Sequence, residues 1–228
     1  MFTSMTNQKH NGLNFLTLKQ RHRELRGDFP QALSLRIHRA LSWLQRAEQE
    51  PDDDDARFIF LWIAFNAAYA HELPDNMHFS ETRLFYRFLS RLIENDQEQR
   101  LYKIIWNEFP NSIRLLLDNP YVFQPFWEHQ KGVIEETEWK EKFKRSKASA
   151  YRALGKMDTR KVLLVIFERL YVLRNQLFHG SATWNSRVNR EQLKQATDLL
   201  GQLVPAIIAI LLNSGSQVWG DPRYPVVD

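Results

Sequence analysis

The sequence predicts an all-α protein, and three observations predict it. Apolar residues return with a period near 3.6 in several long stretches, most fully at Leu163, Ile166, Phe167, Leu170, Leu173 and Leu177. No run alternates apolar and polar residues as a half-buried strand would, and no Asn-Gly hairpin joins two such runs. Proline and acidic or hydroxyl residues stand where helices would open, at Asp28-Phe29-Pro30, at Asp52 to Asp55, at Ser80 and at Asp158.

Taken in order, residues 1–27 are polar and basic around one apolar knot, Leu13 to Leu18, and read as a loose basic arm that partly docks. Asp28-Phe29-Pro30 opens a helix with a stripe of Leu33, Ile37, Ala40, Leu41 and Leu44, which Pro51 ends. The four aspartates 52–55 could hold a divalent cation, but their place before a strongly helical segment suits the positive end of a helix dipole better. From Asp55 to about Glu72 the chain is apolar on nearly all sides, as a helix central to a core must be. Short helices punctuated by Pro110, Pro120 and Lys131-Gly132 fill 80–132, read as an inserted lobe. A charged helix over 135–156 follows, then the striped helix from Thr159 to about Phe178 and a last one from Arg190 to about Asn213, which Pro205 would kink. The domain is thus 28–213, with an irregular tail at 214–228.

Composition narrows the chemistry. The chain has 228 residues and no cysteine, so disulfides, thiolate zinc sites and cysteine nucleophiles are excluded and a reducing, cytoplasmic setting is expected. Its beginning has no apolar core of the secretory kind, and Phe58 to Phe65 and Val204 to Leu212 are too short to span a bilayer, so no membrane partner is expected. Net charge is +4 but uneven: from Lys140 to Lys161 nine cations, Lys140, Lys142, Lys144, Arg145 and Lys147 among them, face only Glu141 and Asp158. That window, at +7, reads either as an RNA-phosphate surface or as a solvated helix face. Lys19, Arg21, Arg23 and Arg26 form a second cluster, open to the same two readings.

The striped helix carries the sharpest signal. Arg174 falls beside its apolar stripe, where a guanidinium is costly without an anion to hold, and Asn175 and His179 are four apart on one face. Gly180 then stops the helix. Upstream, Asn66 interrupts the most apolar helix with a carboxamide that needs partners, either a local hydrogen bond or Arg174 and His179, which it would orient from behind.

Leu61-Trp62-Ile63-Ala64-Phe65-Asn66-Ala67-Ala68-Tyr69, together with Leu173-Arg174-Asn175 and Leu177-Phe178-His179-Gly180, resembles the HEPN superfamily of small all-helical domains from prokaryotic toxin and antiviral systems and RNA processing. The resemblance covers about 28–215 and is closest to the Apea-like group; Ser181 stands where toxins controlled by a nucleotidyltransferase carry a tyrosine. It implies a HEPN-like helical bundle and a metal-independent endoribonuclease with no cofactor. Arg174 and His179 of one chain would meet their copies across a homodimer, Asn175 would position histidine or phosphate, and a cognate antitoxin or regulatory protein would restrain the enzyme. Two alternatives stay open: a non-catalytic module that binds RNA or a nucleotide, and a scaffold that regulates a partner protein.

Overall fold

The computed structural model describes residues 12–69, 79–180, 183–187, 190–214 and 219, with backbone alone at 79–84. Ten α-helices and no strand occur among the described residues: α1 (Phe15–Leu25), α2 (Gln31–Glu48), α3 (Asp54–Tyr69), α4 (Phe79–Asn95), α5 (Arg100–Lys103), α6 (Pro110–Asp118), α7 (Gln124–Gln130), α8 (Glu136–Gly155), α9 (Thr159–Phe178) and α10 (Arg190–Asn213). The fold is an all-α bundle, as the sequence predicts.

Local chemistry starts the helices. Asn14 Oδ1 accepts from the Thr17 N–H at 3.0 Å while Thr17 Oγ1 accepts from the Asn14 N–H at 3.2 Å, a reciprocal cap for α1. Asp53 Oδ1 accepts from the Ala56 N–H at 3.0 Å, so this aspartate caps α3 as the dipole argument requires. Those N–H bonds hold the Asp53 carboxyl below its ordinary value. Asp96 binds the Arg100 and Leu101 N–H groups with its two oxygens and so opens α5. Ile104–Glu108 continues α5 as a π-helical turn, after which Pro110 begins α6.

The core forms around α3. Trp43 of α2 stacks on Phe60 at 5.9 Å, which pairs α2 and α3 as a hairpin. On another side Phe65 stacks on Phe167 of α9 at 4.4 Å, and Trp62 meets Tyr171 at 6.2 Å. A later residue of α3 thus meets an earlier one of α9, and the two helices run antiparallel. Phe85 and Phe88 of α4 close on Phe65 at 6.1 and 6.4 Å. Helix α10 packs on the remaining side. It is long and apolar enough to cross a membrane by composition, yet most of it, from Leu193 to Leu212, is buried inside the bundle.

Two expectations are corrected. The segment read as a loose arm is helical from Phe15 onward, because Leu18 and His22 are buried against the bundle and Glu48 Oε1 accepts the Phe15 N–H at 2.9 Å. Residues 1–11 lie outside the described residues. The stretch read as an inserted lobe supplies Phe85, Leu89, Leu92, Leu101, Ile104, Ile113 and Leu117 to the same core as α3 and α9, so it is woven into the bundle. In the tail, Trp219 is buried against Phe88 at 5.7 Å and donates from Nε1 to Ser214 Oγ at 2.5 Å, which anchors a segment that composition reads as irregular. The rest of 215–228 lies outside the described residues.

Two stability predictions follow from this packing. Phe65→Ala removes the ring at which α3, α4 and α9 converge and should lower the unfolding free energy by about 3–5 kcal/mol in urea titrations. His22, buried beside Lys19, His38 and Arg26 and bonded to Ser34 Oγ at 3.1 Å, has its imidazole pushed down to about 4 by burial first and those cations second. Above about 6.5 both states are neutral and the stabilisation is complete; as pH falls the unfolded chain takes up the proton first, and stability drains until about 4. Between pH 7 and pH 4 the wild type should therefore lose on the order of 2 kcal/mol more than His22→Gln. Parallel pH profiles would refute this.

Candidate functional site

Helix α9 carries the candidate residues and its ends are well defined. Asp158 Oδ1 accepts from the Lys161 N–H at 3.0 Å at the start. At the finish the His179 N–H donates to Asn175 O at 3.0 Å and the Gly180 N–H to Leu177 O at 3.3 Å. Gly180 adopts φ +66°, the left-handed conformation that closes a helix and that residues with a Cβ resist. His179 is the C-capping residue and its side chain is exposed.

One turn earlier, Arg174 Nη1 donates to Asn175 Oδ1 at 2.8 Å. The guanidinium lies over the Phe178 ring at 4.4 Å, with Tyr171 at 6.0 Å. These rings come from positions i+4 and i−3, the neighbours a helical side chain can reach. A cation over such a face gains about 0.5–1 kcal/mol and loses freedom of motion. Arg174 and Asn175 are therefore in contact, and His179 follows one turn along on the Asn175 face. Gln176 donates from Nε2 to Tyr121 O at 2.6 Å, which fixes the same turn to the 3₁₀ segment Pro120–Val122.

The structure does not bring Asn66 to this group. With Trp62 level with Tyr171 and Phe65 level with Phe167, Asn66 sits about 11 Å along the helix axis from Arg174. Among the described residues its Oδ1 is buried with no hydrogen-bond partner, so the orienting role expected from the sequence is corrected: Asn66 places a polar atom inside the α3 packing.

The basic window on α8 is also less positive than it reads. Lys140 pairs with Glu136 at 2.6 Å, Lys142 with Glu138 at 2.7 Å, Arg145 with Glu141 at 3.9 Å, and Lys147 with Asp118 at 2.7 Å. A window opened at Lys140 leaves out Glu136 and Glu138, one helical turn upstream. Of the five residues expected to bind RNA, Lys144 enters no ion pair among the described residues. Exposed pairs of this type contribute little to stability, but they cancel local field.

Sequence reasoning passed over three features of the site. Phe178 was read as part of the motif's frame, although its i+4 spacing from Arg174 signals the ring contact. The turn after the motif is tied to α3: Trp184 Nε1 donates to Asp53 Oδ2 at 2.9 Å, the Asn185 N–H to Asp55 Oδ2 at 3.3 Å, and Arg190 pairs with Asp55 at 2.6 Å. No spacing signals contacts across more than a hundred residues. Third, Arg169 is buried, with its guanidinium over Phe123 at 4.5 Å and Phe143 at 5.6 Å and Nη2 bonded to Ser146 Oγ at 3.0 Å. Burial pulls its pKa down to about 10, against the opposing pull of Glu168.

A cavity of about 280 Å³ bounded by Leu44, Arg57, Leu61, Gly201 and Pro205 lies where α2, α3 and α10 meet; Arg174, Asn175 and His179 do not line it. Comparison with protein-family models, with curated proteins and with solved structures finds no match.

Gly180→Ala places a Cβ in open space but in a left-handed backbone, so its cost is conformational. It should reduce stability by about 1 kcal/mol in urea titrations, and Gly180→Asn by less. Equal stabilities of all three proteins would show that the helix end does not need this conformation.

Proposed function

We propose that the chain is a HEPN-type, metal-independent endoribonuclease whose cleft joins the α9 ends of two copies. The observation that carries this reading is the arrangement at that end: an exposed imidazole at the helix terminus, one turn from a guanidinium aligned by Asn175 and Phe178.

The reaction asks for what these groups supply. RNA brings its own nucleophile, the 2′-hydroxyl, so a base must take its proton and an acid must protonate the departing 5′-oxygen. Imidazole serves either purpose near neutral pH. One chain offers a single His179, and a twofold pair offers two, one for each task. Attack by the 2′-oxygen on phosphorus forms the 2′,3′-cyclic phosphate as the P–O5′ bond breaks, and the acid delivers its proton to give a 5′-hydroxyl. Arg174 would hold the phosphoryl oxygens through its planar fork as negative charge gathers on them. Asn175, already bonded to Arg174, would keep that fork turned toward the histidine face. Phe178 and Trp184, both exposed large rings beside the helix end, suit contact with a second copy.

A second reading keeps a specific observation. Arg174 is engaged by Asn175 and Phe178 on its own helix, as it would be in a module that binds RNA or a partner without cutting. Such a module would bind RNA equally before and after His179→Ala and would never cut it.

Purified protein should cleave single-stranded RNA in the presence of EDTA, leaving cyclic phosphate and 5′-hydroxyl ends. His179→Ala should lower the rate at least a hundredfold through loss of proton transfer, and Arg174→Ala by a similar factor through loss of charge stabilisation, with helical circular dichroism unchanged. If both variants cut at the wild-type rate, the assignment fails.

A further inference from the structure

Positive charge also gathers on the pair α1 and α2. From Phe15 to Glu48 there are seven lysines and arginines, namely Lys19, Arg21, Arg23, Arg26, Arg36, Arg39 and Arg46, against Glu24, Asp28 and Glu48, a net +4 that equals that of the whole chain. Their arrangement is more telling than their number. On α1, Lys19, His22, Arg23 and Arg26 fall within about 100° of arc, while Glu24 is turned roughly 100° further round, where Gln20 Nε2 holds it at 3.0 Å. Across from this stripe, α2 presents Ser34 to His22 and His38 to Lys19, whose Nζ donates to His38 Nδ1 at 3.2 Å. Arg21, on the other side of α1, is taken by Asn213 at 2.5 Å. Arg23 and Arg26 are exposed, and among the described residues neither pairs with a carboxylate.

We propose that this α1–α2 face, formed by Lys19, Arg23, Arg26 and His38, is a track that holds the phosphate backbone of single-stranded RNA. The proposal deepens the nuclease reading and rests on it for the identity of the polyanion. Three features favour a polymer of phosphates over a single anion. The stripe extends about 10 Å along α1 from Lys19 to Arg26, more than one phosphate can cover. Helix α3 stands between α2 and α9, so two interhelical spacings put the track on the order of 20 Å from the α9 helix, a distance a strand can bridge and a mononucleotide cannot. The field is of one sign: Lys19, His38 and Arg26 act on His22, and Lys19, Arg26 and Arg39 on His38, and both imidazoles are pushed down from their ordinary value, by burial first and these cations second. On helix α8, by contrast, Lys140 and Lys142 pair with Glu136 and Glu138 of the same helix, and Lys147 pairs with Asp118.

The test is binding of a fluorescent single-stranded 2′-deoxy 20-mer, which lacks the attacking hydroxyl and so cannot be cut whether or not the protein is a nuclease. Affinity is followed by anisotropy across a salt series for wild type, for Lys19→Gln/Arg23→Gln/Arg26→Gln, and for the exposed pair Arg23→Gln/Arg26→Gln, which leaves the half-buried Lys19 in place. Each lost phosphate contact should flatten the log–log salt dependence by about 0.7, so the slope should fall by about 2 in the triple variant and about 1.4 in the double. Lys140→Gln/Lys142→Gln/Lys144→Gln on α8 should change it by less than about 0.7. Unchanged slopes in the α1 variants, an equal fall from the α8 set, or binding to phosphatidylserine vesicles in place of the oligonucleotide would each overturn the track. Loss of RNA cutting in His179→Ala with the slope retained bears on the nuclease alone, which keeps the two ideas separable.

Discussion

The contact on which the rest of the molecule depends is the stacking of Phe65 on Phe167, 4.4 Å between ring centres and 25° between planes. Offset stacking of this kind is favoured by the ring quadrupoles, and here each ring is also buried. Phe85 meets both rings edge-on, at 6.1 Å and 5.4 Å, so α3, α4 and α9 are fixed at one point. Because the next contact along the pair is Trp62 with Tyr171, the direction of α9 relative to α3 is fixed too. The end of α9 that carries Arg174, Asn175 and His179 is thereby carried to the start of α3. A helix as apolar as α3 can be satisfied only by neighbours on every side, and that requirement delivers the candidate site to its place.

The turn after α9 then inherits its tether from the start of α3. Asp53 and Asp55 are close together in sequence but do different things: Asp53 caps its own helix and takes Trp184 Nε1, while Asp55, nearly inaccessible, pairs with Arg190 at the start of α10. Removing either partner of the second pair would strand a charge in a place with little water, which makes it a stronger constraint than the exposed pairs on α8. Arg169 shows another way to seat a cation out of water. Its guanidinium rests over Phe123 and Phe143 and donates to Ser146, so the 3₁₀ segment and α8 are held against the middle of α9. Arg169 and the Asp55–Arg190 pair thus hold α9 and the start of α10 against their neighbours on either side of the helix end.

Much of this was legible in the sequence because it is periodic. The bounds of α9 and α10, the central place of α3, and the cap at Asp158 all follow from repeats near 3.6 residues and from residues that satisfy the first N–H groups. The adjacency of Arg174 and Asn175 and the stop at Gly180 are local and were readable for the same reason. Contacts with no local signature were not. Asn66 looks like a partner for Arg174 only until the antiparallel register shows them about 11 Å apart along the axis, and register is a property of two helices rather than one. Leu18 and Trp219 lie in polar stretches that read as arm and tail, and only the core they enter explains their order.

Charge was misread in a similar way, and the error has a physical lesson. On α8 Lys140 and Lys142 follow glutamates by four residues, the spacing at which side chains on a helix meet, so counting within a window that begins at Lys140 severs these two pairs. On α1 the positives are i, i+4 and i+7 with respect to one another, and the single glutamate falls off their arc. The first pattern neutralises itself within one turn, whereas the second adds along one face, with Arg39 of α2 nearby. Field at a surface is set by which charges share a face, so a larger count in sequence need not make the stronger patch in space. If the α1–α2 face is the track proposed above, a strand that engages both it and the helix end that bears His179 must follow the bundle around α3.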